Sequence, residues 1–99
     1  MSEEPNKLTP KQTKKVVTKF YGLSYNEVEG KSRQKKLVNA RHMIVYLCHE
    51  TLGTSWTQIG QELGNRDHST IKSSYDRAIK LLKTDTAFQI AMNKIKDSL

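Results

Sequence analysis

The sequence has little cysteine, no long apolar run and no strand pattern, and each absence narrows what the protein can be. The single cysteine, Cys48, cannot form an internal disulfide, and no signal segment opens the chain, so we expect a reducing, cytoplasmic setting. The longest uninterrupted apolar run, Met43 to Cys48, is far too short to cross a bilayer. Because alternating apolar and polar residues occur nowhere, the sequence predicts an all-α protein.

Patterns for catalysis and for metal binding are also missing. His42, Cys48 and His49 share one predicted helix, but their spacing does not bring the three side chains to one metal ion. The chain has no phosphate-binding loop that ends in Lys-Ser or Lys-Thr, and no pair of carboxylates set apart from basic residues. The sequence therefore predicts no enzyme, no bound metal and no cofactor.

Positive charge is what the chain has in excess. Lys and Arg number 17 against 10 Asp and Glu, which gives a formal net charge of +7 over 99 residues. A pI of about 9.6 is typical of nucleic-acid-binding domains. A basic surface also suits an acidic protein partner or an anionic membrane, and this alternative stays open. The length predicts one domain, residues 9–99, after a polar leader or linker remnant, residues 1–8.

Capping signals and apolar spacing divide the predicted domain into six helices. Thr9-Pro10 begins helix 1, which ends near Gly22, and a capping box that starts at Ser24 begins a short helix 2. The predicted apolar stripe of helix 1 contains Val16, Val17, Phe20 and Tyr21. Its predicted outward positions are lysines: Lys11, Lys14, Lys15 and Lys19.

The remaining four helices follow from the same signals. Helix 3 is predicted from Leu37 to about Leu52 and is apolar on so many sides that we expect it to be the central helix. Ser55 caps helix 4, and helix 5 begins at Asp67 or His68 and runs to about Lys83. The sixth helix is predicted to start after the cap Thr84-Asp85.

Helices 4 and 5, joined by Gly64-Asn65-Arg66, have the spacing of a helix-turn-helix. An ordinary helical hairpin is the alternative, but it needs only one polar cap at the start of its second helix. This helix opens with four polar residues at the end that helix-turn-helix proteins direct at bases: Asp67, His68, Ser69 and Thr70. A carboxylate accepts from cytosine N4, and imidazole and hydroxyl groups bond other base edges. The pattern favours DNA contact.

The basic segment, residues 31–36, has four positive charges and no acidic or apolar residue. Although such runs are commonly solvated loops, an arginine in a flexible loop suits a narrow A·T-rich minor groove, which makes Arg33 the candidate there. Further along the chain, Arg41 extends the basic strip into helix 3. We assign the other cationic candidates to DNA phosphates: Lys31, Lys35, Lys36, Arg41, Arg66 and Lys72.

Three segments together resemble the C-terminal DNA-binding domain, domain IV, of the bacterial replication initiator family DnaA. They are residues 40–48 (ARHMIVYLC), 55–60 (SWTQIG) and 64–71 (GNRDHSTI). The resemblance implies a compact, six-helix, Trp-repressor-like domain that binds DnaA boxes, A·T-rich origin sites of the type TTATNCACA, as a monomer. Contact with acidic phospholipids is a further expectation. Full-length members carry an AAA+ ATPase domain, with ATP and Mg, whose phosphate-binding loop these residues do not contain.

The resemblance also implies a role for single residues. Arg33 matches the arginine that enters the minor groove, and Arg41 matches a phosphate-contacting arginine. The base-reading positions match Asp67, His68 and Ser69, and the second hydroxyl of the motif matches Thr70.

Three positions depart from the family pattern. Ser69 stands where threonine is usual, and His49 stands where Lys or Arg is common. Trp56-Thr57 replaces an aliphatic residue followed by Pro or Ala. Ser69 keeps the hydroxyl of threonine and lacks its methyl group. The change at His49 affects an expected phosphate contact, and the change at Trp56-Thr57 affects an expected apolar contact with a base.

Overall fold

The computed structural model describes residues 9–99, so the predicted leader, residues 1–8, lies outside the described part of the chain. Within that part the chain forms six α-helices and no strand, which confirms the predicted fold class. The helices are α1 (Pro10–Tyr21), α2 (Tyr25–Glu29), α3 (Lys35–Leu52), α4 (Trp56–Glu62), α5 (His68–Thr84) and α6 (Thr86–Ser98). Between residues 9 and 99 no helix has the length and apolar composition that a bilayer crossing requires.

Local side-chain caps explain where the first two helices begin. The Thr9 hydroxyl accepts a hydrogen bond from the Gln12 amide at 3.1 Å, and Pro10 occupies a position that needs no amide donor. In the capping box of α2, Ser24 Oγ and Glu27 Oε1 each accept from the other residue's backbone amide, at 3.1 and 2.8 Å. Each cap joins residues three apart, so the sequence alone predicts both helix starts.

Two helix boundaries differ from the prediction. Helix α3 begins two residues early, so Lys35 and Lys36 lie in its first turn and only residues 31–34 form a loop. Lysine is a good helix former, and a charged run looks the same in an exposed helical turn as in a loop. Helix α5 extends through Thr84, and Asp85 alone caps α6.

Helix α3 is the central element, as its apolar circumference predicts. It packs against α1, α2, α4 and α5, and eight of its 18 residues are buried. Its fully buried apolar residues are Ala40, Met43, Ile44, Val45, Leu47 and Cys48. Burial raises the pKa of the Cys48 thiol to about 12, so this cysteine is a core residue that stays protonated at neutral pH.

The inward face of α1 is the predicted one at three of its four positions, with Phe20 as the exception, and it also contains Lys14. Phe20 is 44% exposed, whereas Lys14 is buried together with Thr13, Val17 and Thr18. The Thr18 hydroxyl donates to the Lys14 carbonyl at 2.8 Å, which satisfies the hydroxyl inside the helix and lets a polar residue occupy a buried position. The prediction that all four lysines of α1 face outward is therefore wrong for Lys14.

Lys14 joins three helices through one buried ammonium group. Its Nζ lies 2.7 Å from Glu29 Oε2 at the end of α2 and 3.2 Å from Glu62 Oε1 at the end of α4. It also donates to the Glu62 carbonyl at 2.9 Å. These bonds fasten the short α2 beside the turn that joins α4 to α5.

Candidate nucleic-acid interface

The first turn of α5 presents the predicted base-reading residues to solvent. Asp67 is the N-cap, and its carboxylate accepts from the Ser69 backbone amide at 3.0 Å and from the Ser69 hydroxyl. These two hydrogen bonds lower the pKa of the Asp67 carboxyl, so it is ionised at neutral pH. His68, Ser69 and Thr70 are exposed beside it. The structure therefore places all four candidates together on one free helix end.

Two glycines allow the turn between α4 and α5 to pack closely. Gly64 has a φ of +79°, and a Cβ built on it would lie 2.3 Å from the Glu29 carbonyl oxygen. A Cβ on Gly60, inside α4, would lie 2.1 Å from the Arg66 carbonyl oxygen, whose residue donates its own amide to the Gly60 carbonyl at 2.9 Å. Backbone therefore occupies the space that a side chain would need, and Gly60 lets the turn fold back against α4.

Gly60→Ala should lower the free energy of unfolding by about 1–3 kcal/mol, the usual cost of forcing extra atoms into a packed site. The obstacle is backbone oxygen, which cannot move aside as a flexible side chain can. Chemical denaturation followed by circular dichroism measures the change. Gln61→Ala, at an exposed position one residue along, is the control and should change the stability by less than about 0.5 kcal/mol. Equal stabilities of the two variants would contradict the close approach.

Arg41 does not lie on an exposed basic strip, and that part of the prediction is wrong. Its side chain is only 8% exposed, and its guanidinium points at backbone carbonyls of α2 and of the segment after it. It donates to the carbonyls of Val28 at 2.8 Å, Ser32 at 2.6 Å, Glu27 at 3.0 Å and Gly30 at 3.1 Å. A guanidinium has five N–H donors, so most of its capacity is used within the protein.

Arg66, in the turn before α5, is bound to the same stretch of backbone. Its guanidinium donates to the carbonyls of Gly30 at 2.5 Å, Glu29 at 3.3 Å, Val28 at 3.4 Å and Leu63. Burial lowers the pKa of both guanidinium groups, and the charge of Arg66 adds to the lowering at Arg41. The two arginines are thus neighbours that share two acceptors, the carbonyls of Val28 and Gly30.

A cleft of about 690 Å³ separates loop 31–34 from α5. The exposed side chains of Lys31 and Arg33 line one side of it, and Thr70 in the first turn of α5 lines the other. The structure therefore brings the minor-groove candidate and the recognition helix to the same opening. The other three predicted cations, Lys35, Lys36 and Lys72, are exposed but are not among the residues that line the cleft.

Two ionisable residues that line the cleft, Arg77 and His42, were absent from the predicted site. Arg77 is exposed on α5 and lies seven residues, two helical turns, after Thr70, so the helical period of the sequence could have found it. His42 is partly buried in the cleft, with its Nδ1 2.5 Å from Ser74 Oγ. Burial and the nearby charges of Arg77 and Arg41 lower the pKa of His42 to about 4. It is therefore neutral at neutral pH.

Two departures from the family pattern contact each other in the structure. The His49 ring stacks on the Trp56 ring, with centroids 3.8 Å apart, and both pack edge-on against Tyr75. The Tyr75 hydroxyl donates to Glu50 Oε2 at 2.6 Å. The imidazole of His49 thus stacks on an aromatic ring at the start of α4. A lysine in that position has no ring to stack.

Comparison with known proteins gives one consistent result. Residues 10–78 match the family model described as the bacterial DnaA protein helix-turn-helix. Over 92 residues the chain is 37% identical to the chromosomal replication initiator protein DnaA of Mycoplasma capricolum, a match that covers 93% of this chain and 20% of the relative. The same protein of Mesoplasma florum is 36% identical over 92 residues, covering 93% and 21%. That of Streptococcus mutans is 36% identical over 85 residues, covering 86% and 19%. The chain thus spans about a fifth of the length of these relatives.

Proposed function

The chain belongs to the bacterial DnaA helix-turn-helix family, and from this premise we propose that it binds double-stranded DNA at DnaA boxes of the type TTATNCACA in a replication origin. In this proposal α5 enters the major groove and loop 31–34 enters the neighbouring minor groove. The helix-turn-helix domain is the non-catalytic, DNA-binding part of the family's replication initiators, and it supplies no ATPase chemistry. We propose that it binds as a monomer, because an asymmetric site does not require a two-fold dimer.

The observation that carries the proposal is the position of the two candidate elements on either side of one cationic cleft. Asp67, His68, Ser69 and Thr70 form an exposed polar turn at the N-terminus of α5, and Arg33 lies across the cleft from that turn. A recognition helix in a major groove needs its N-terminal residues free, and an adjacent arginine needs to reach over one phosphate strand. The exposure of the polar turn and the position of Arg33 at the cleft support the proposal.

The side chains of the polar turn differ in what they select. The Asp67 carboxylate is an acceptor only, so it favours the N4 amino group of cytosine and is repelled by phosphates. His68 and the two hydroxyl residues can donate or accept, and the Thr70 methyl can contact a thymine methyl. The turn therefore supports discrimination between sequences rather than general attraction to DNA.

The cations supply attraction and recognition of groove shape. Lys31, Lys35, Lys36 and Lys72 are exposed and suit phosphates, which fix the register of the protein on the duplex. Arg33 suits the narrow minor groove of A·T-rich DNA, where the negative potential is deepest. The same positive surface supports contact with acidic phospholipid headgroups as a secondary proposal.

A comparison of two duplexes tests the proposed function. One duplex contains a single TTATNCACA box and the other contains the same bases scrambled, and affinity is measured for each over a range of salt concentrations. We expect the box to bind at least about 10³-fold more tightly, the lower end for specific DNA-binding proteins. Equal affinity for both duplexes, with a steep salt dependence, would favour a general anion-binding module that meets acidic proteins or membranes.

Asp67→Ala and His68→Ala should each reduce the discrimination between box and scrambled duplex by about 1–3 kcal/mol, the usual value of a base contact. The measurement is the ratio of the two dissociation constants for each variant. Asp76→Ala, which removes an exposed carboxylate from the same helix, is the control and should leave the ratio unchanged. A variant that loses affinity equally for both duplexes would contradict base reading by that residue.

Arg33→Ala should weaken binding to the box more than Lys35→Ala does, by about tenfold against about threefold, because in this proposal Arg33 enters the narrow minor groove and Lys35 does not. The effect of Arg33→Ala should shrink when the A·T pairs that face loop 31–34 are replaced by G·C pairs. Lys35, in the first turn of α3, serves as the matched loss of one charge. Equal losses for the two variants on both duplexes would rule out a minor-groove role.

A further inference from the structure

The backbone between α2 and α3 is held by two arginines that come from different helices. Helix α2 has only five residues, so its carbonyls have almost no partners within the helix. Arg41 and Arg66 supply the donors, and both reach the carbonyls of Val28 and Gly30. Their bonds satisfy a helix end that would otherwise bury unpaired acceptors.

The hydrogen bonds continue up to the residue before Arg33. Arg41 Nη1 donates to the Ser32 carbonyl at 2.6 Å, and Arg66 Nη2 donates to the Gly30 carbonyl at 2.5 Å. The peptide groups that lead into Arg33 are therefore held from within the protein. Arg66 also directly precedes Asp67 in the chain, so its backbone carries the start of α5 while its side chain holds the start of the loop.

We propose that Arg41 and Arg66 are positioning residues, which fix the loop that carries Arg33 relative to the start of α5 and do not act as phosphate contacts. This inference rests on the proposed function, in which Arg33 enters the minor groove and the start of α5 enters the major groove. It replaces the phosphate roles that the sequence and the family resemblance suggest for these two positions.

The physical reason is preorganisation. A loop with free backbone loses conformational entropy when it enters a groove, and the loss is subtracted from the affinity. When two guanidinium groups hold the Gly30 and Ser32 carbonyls, the loop is already ordered in the folded protein. Arg33 then enters the groove with a smaller loss of conformational entropy. A guanidinium suits this role because its planar donors bind several carbonyls at once, which an ammonium group does less well.

The hydrogen bonds that both side chains already make to the backbone disfavour a phosphate contact. The four bonds of Arg41 leave one of its five N–H donors, and the side chain is 8% exposed. Both Nη atoms of Arg66 bond backbone carbonyls. To bind a phosphate through two N–H groups, Arg41 would have to give up a bond to a backbone carbonyl. The bonds of both Nη atoms of Arg66 hold its guanidinium against the backbone of residues 28–30 and Leu63.

The first arm of the test uses the protein without DNA. Backbone ¹⁵N order parameters of residues 31–34 are measured for the wild type, Arg66→Gln and Arg66→Lys, with Arg77→Gln as the control. We expect values near about 0.85 in the wild type and in the control, and below about 0.6 in Arg66→Gln. Arg66→Lys should fall between them, and it serves as the test variant if Arg66→Gln does not fold. Order parameters that stay at the wild-type value in a folded Arg66 variant would overturn the proposal.

The second arm uses the box duplex and two measurements. Arg66→Gln should weaken binding and leave the slope of log K against log salt unchanged, whereas the control Lys72→Gln should reduce the slope by about 0.9, the value for one phosphate contact. Arg33→Ala should cost about tenfold in the wild type and less than about twofold when Arg66 is already replaced, because a released loop no longer presents Arg33.

The outcomes separate this inference from the proposed function. A drop of about 0.9 in the salt slope of Arg66→Gln, or a full tenfold effect of Arg33→Ala in that background, would overturn the positioning role. Loss of box preference in the wild type would instead contradict the proposed function, and the order parameters would still report whether the pair holds the loop.

Discussion

Lys14→Met should lower the free energy of unfolding by about 3 kcal/mol, the lower end of the range for removing one partner of a buried ion pair. The lower end applies because the carboxylates left behind, Glu29 and Glu62, have side chains that are 34% and 29% exposed, so water can reach them. The Glu62 carbonyl would also lose its donor. Denaturant unfolding of both proteins at neutral pH measures the change.

The ion pair is intact at the pH of this measurement. Burial lowers the pKa of the Lys14 ammonium, but its hydrogen bonds and charge interactions with Glu29 and Glu62 raise it further, and the net result lies above the ordinary 10.5. The stabilisation is therefore fully present at neutral pH and is lost only as the pH rises above 10.5. Lys15→Met, at the exposed neighbouring position, is the control and should change stability by less than about 0.5 kcal/mol. Matching values for the two variants would contradict a structural role for Lys14.

Acidification from pH 7 to pH 4 should destabilise the protein by up to about 3 kcal/mol through His42 alone. The imidazole has a pKa of 6.5 in its ordinary state and about 4 in the fold, where burial and then the charges of Arg77 and Arg41 disfavour a proton. Between these values the unfolded chain binds a proton that the folded chain does not, so stability falls as the pH falls. Each pH unit between the two pKa values is worth about 1.4 kcal/mol.

His42→Gln isolates this effect from the other titrating groups. Glutamine retains a polar atom that can bond the Ser74 hydroxyl and removes the titration. The free energy of unfolding is measured at several pH values from 7 to 4 for both proteins, and only the dependence on pH is compared. We expect the wild type to lose about 3 kcal/mol more than the variant over this range. Parallel curves would show that His42 binds its proton equally well in the folded and the unfolded chain.

The local features of this fold could be predicted because their causes are local. Thr9, Ser24 and Asp67 each bond an amide two or three residues away, so the sequence shows both partners of each cap. The position of the polar turn at the start of α5 follows from the Asp67 cap, since the cap begins the helix there. The central position of α3 followed from a composition that leaves few polar faces.

The predictions that failed for Lys14 and Arg41 concern long polar side chains whose partners are distant in the chain. Lys14 bonds residues 15 and 48 positions away, and Arg66 bonds Gly30, 36 positions away. A lysine or arginine on a helix has the same place in the hydrophobic pattern whether its charged end meets water, a phosphate or a buried carbonyl. The sequence therefore could not show that the guanidinium groups of Arg41 and Arg66 bond backbone carbonyls of the fold.

The sequence by itself determined the six helices, the central position of α3 and the exposed polar turn at the start of α5, because short-range hydrogen bonds and apolar periodicity decide them. Only the tertiary structure decided which cations are free. Folding brings the carbonyls of Val28 and Gly30 against Arg41 and Arg66. Because a carbonyl without a hydrogen bond is unfavourable away from water, both guanidinium groups donate to this backbone. Arg33 is exposed at the cleft, and the Ser32 carbonyl just before it accepts a hydrogen bond from Arg41, 9 positions further along the chain.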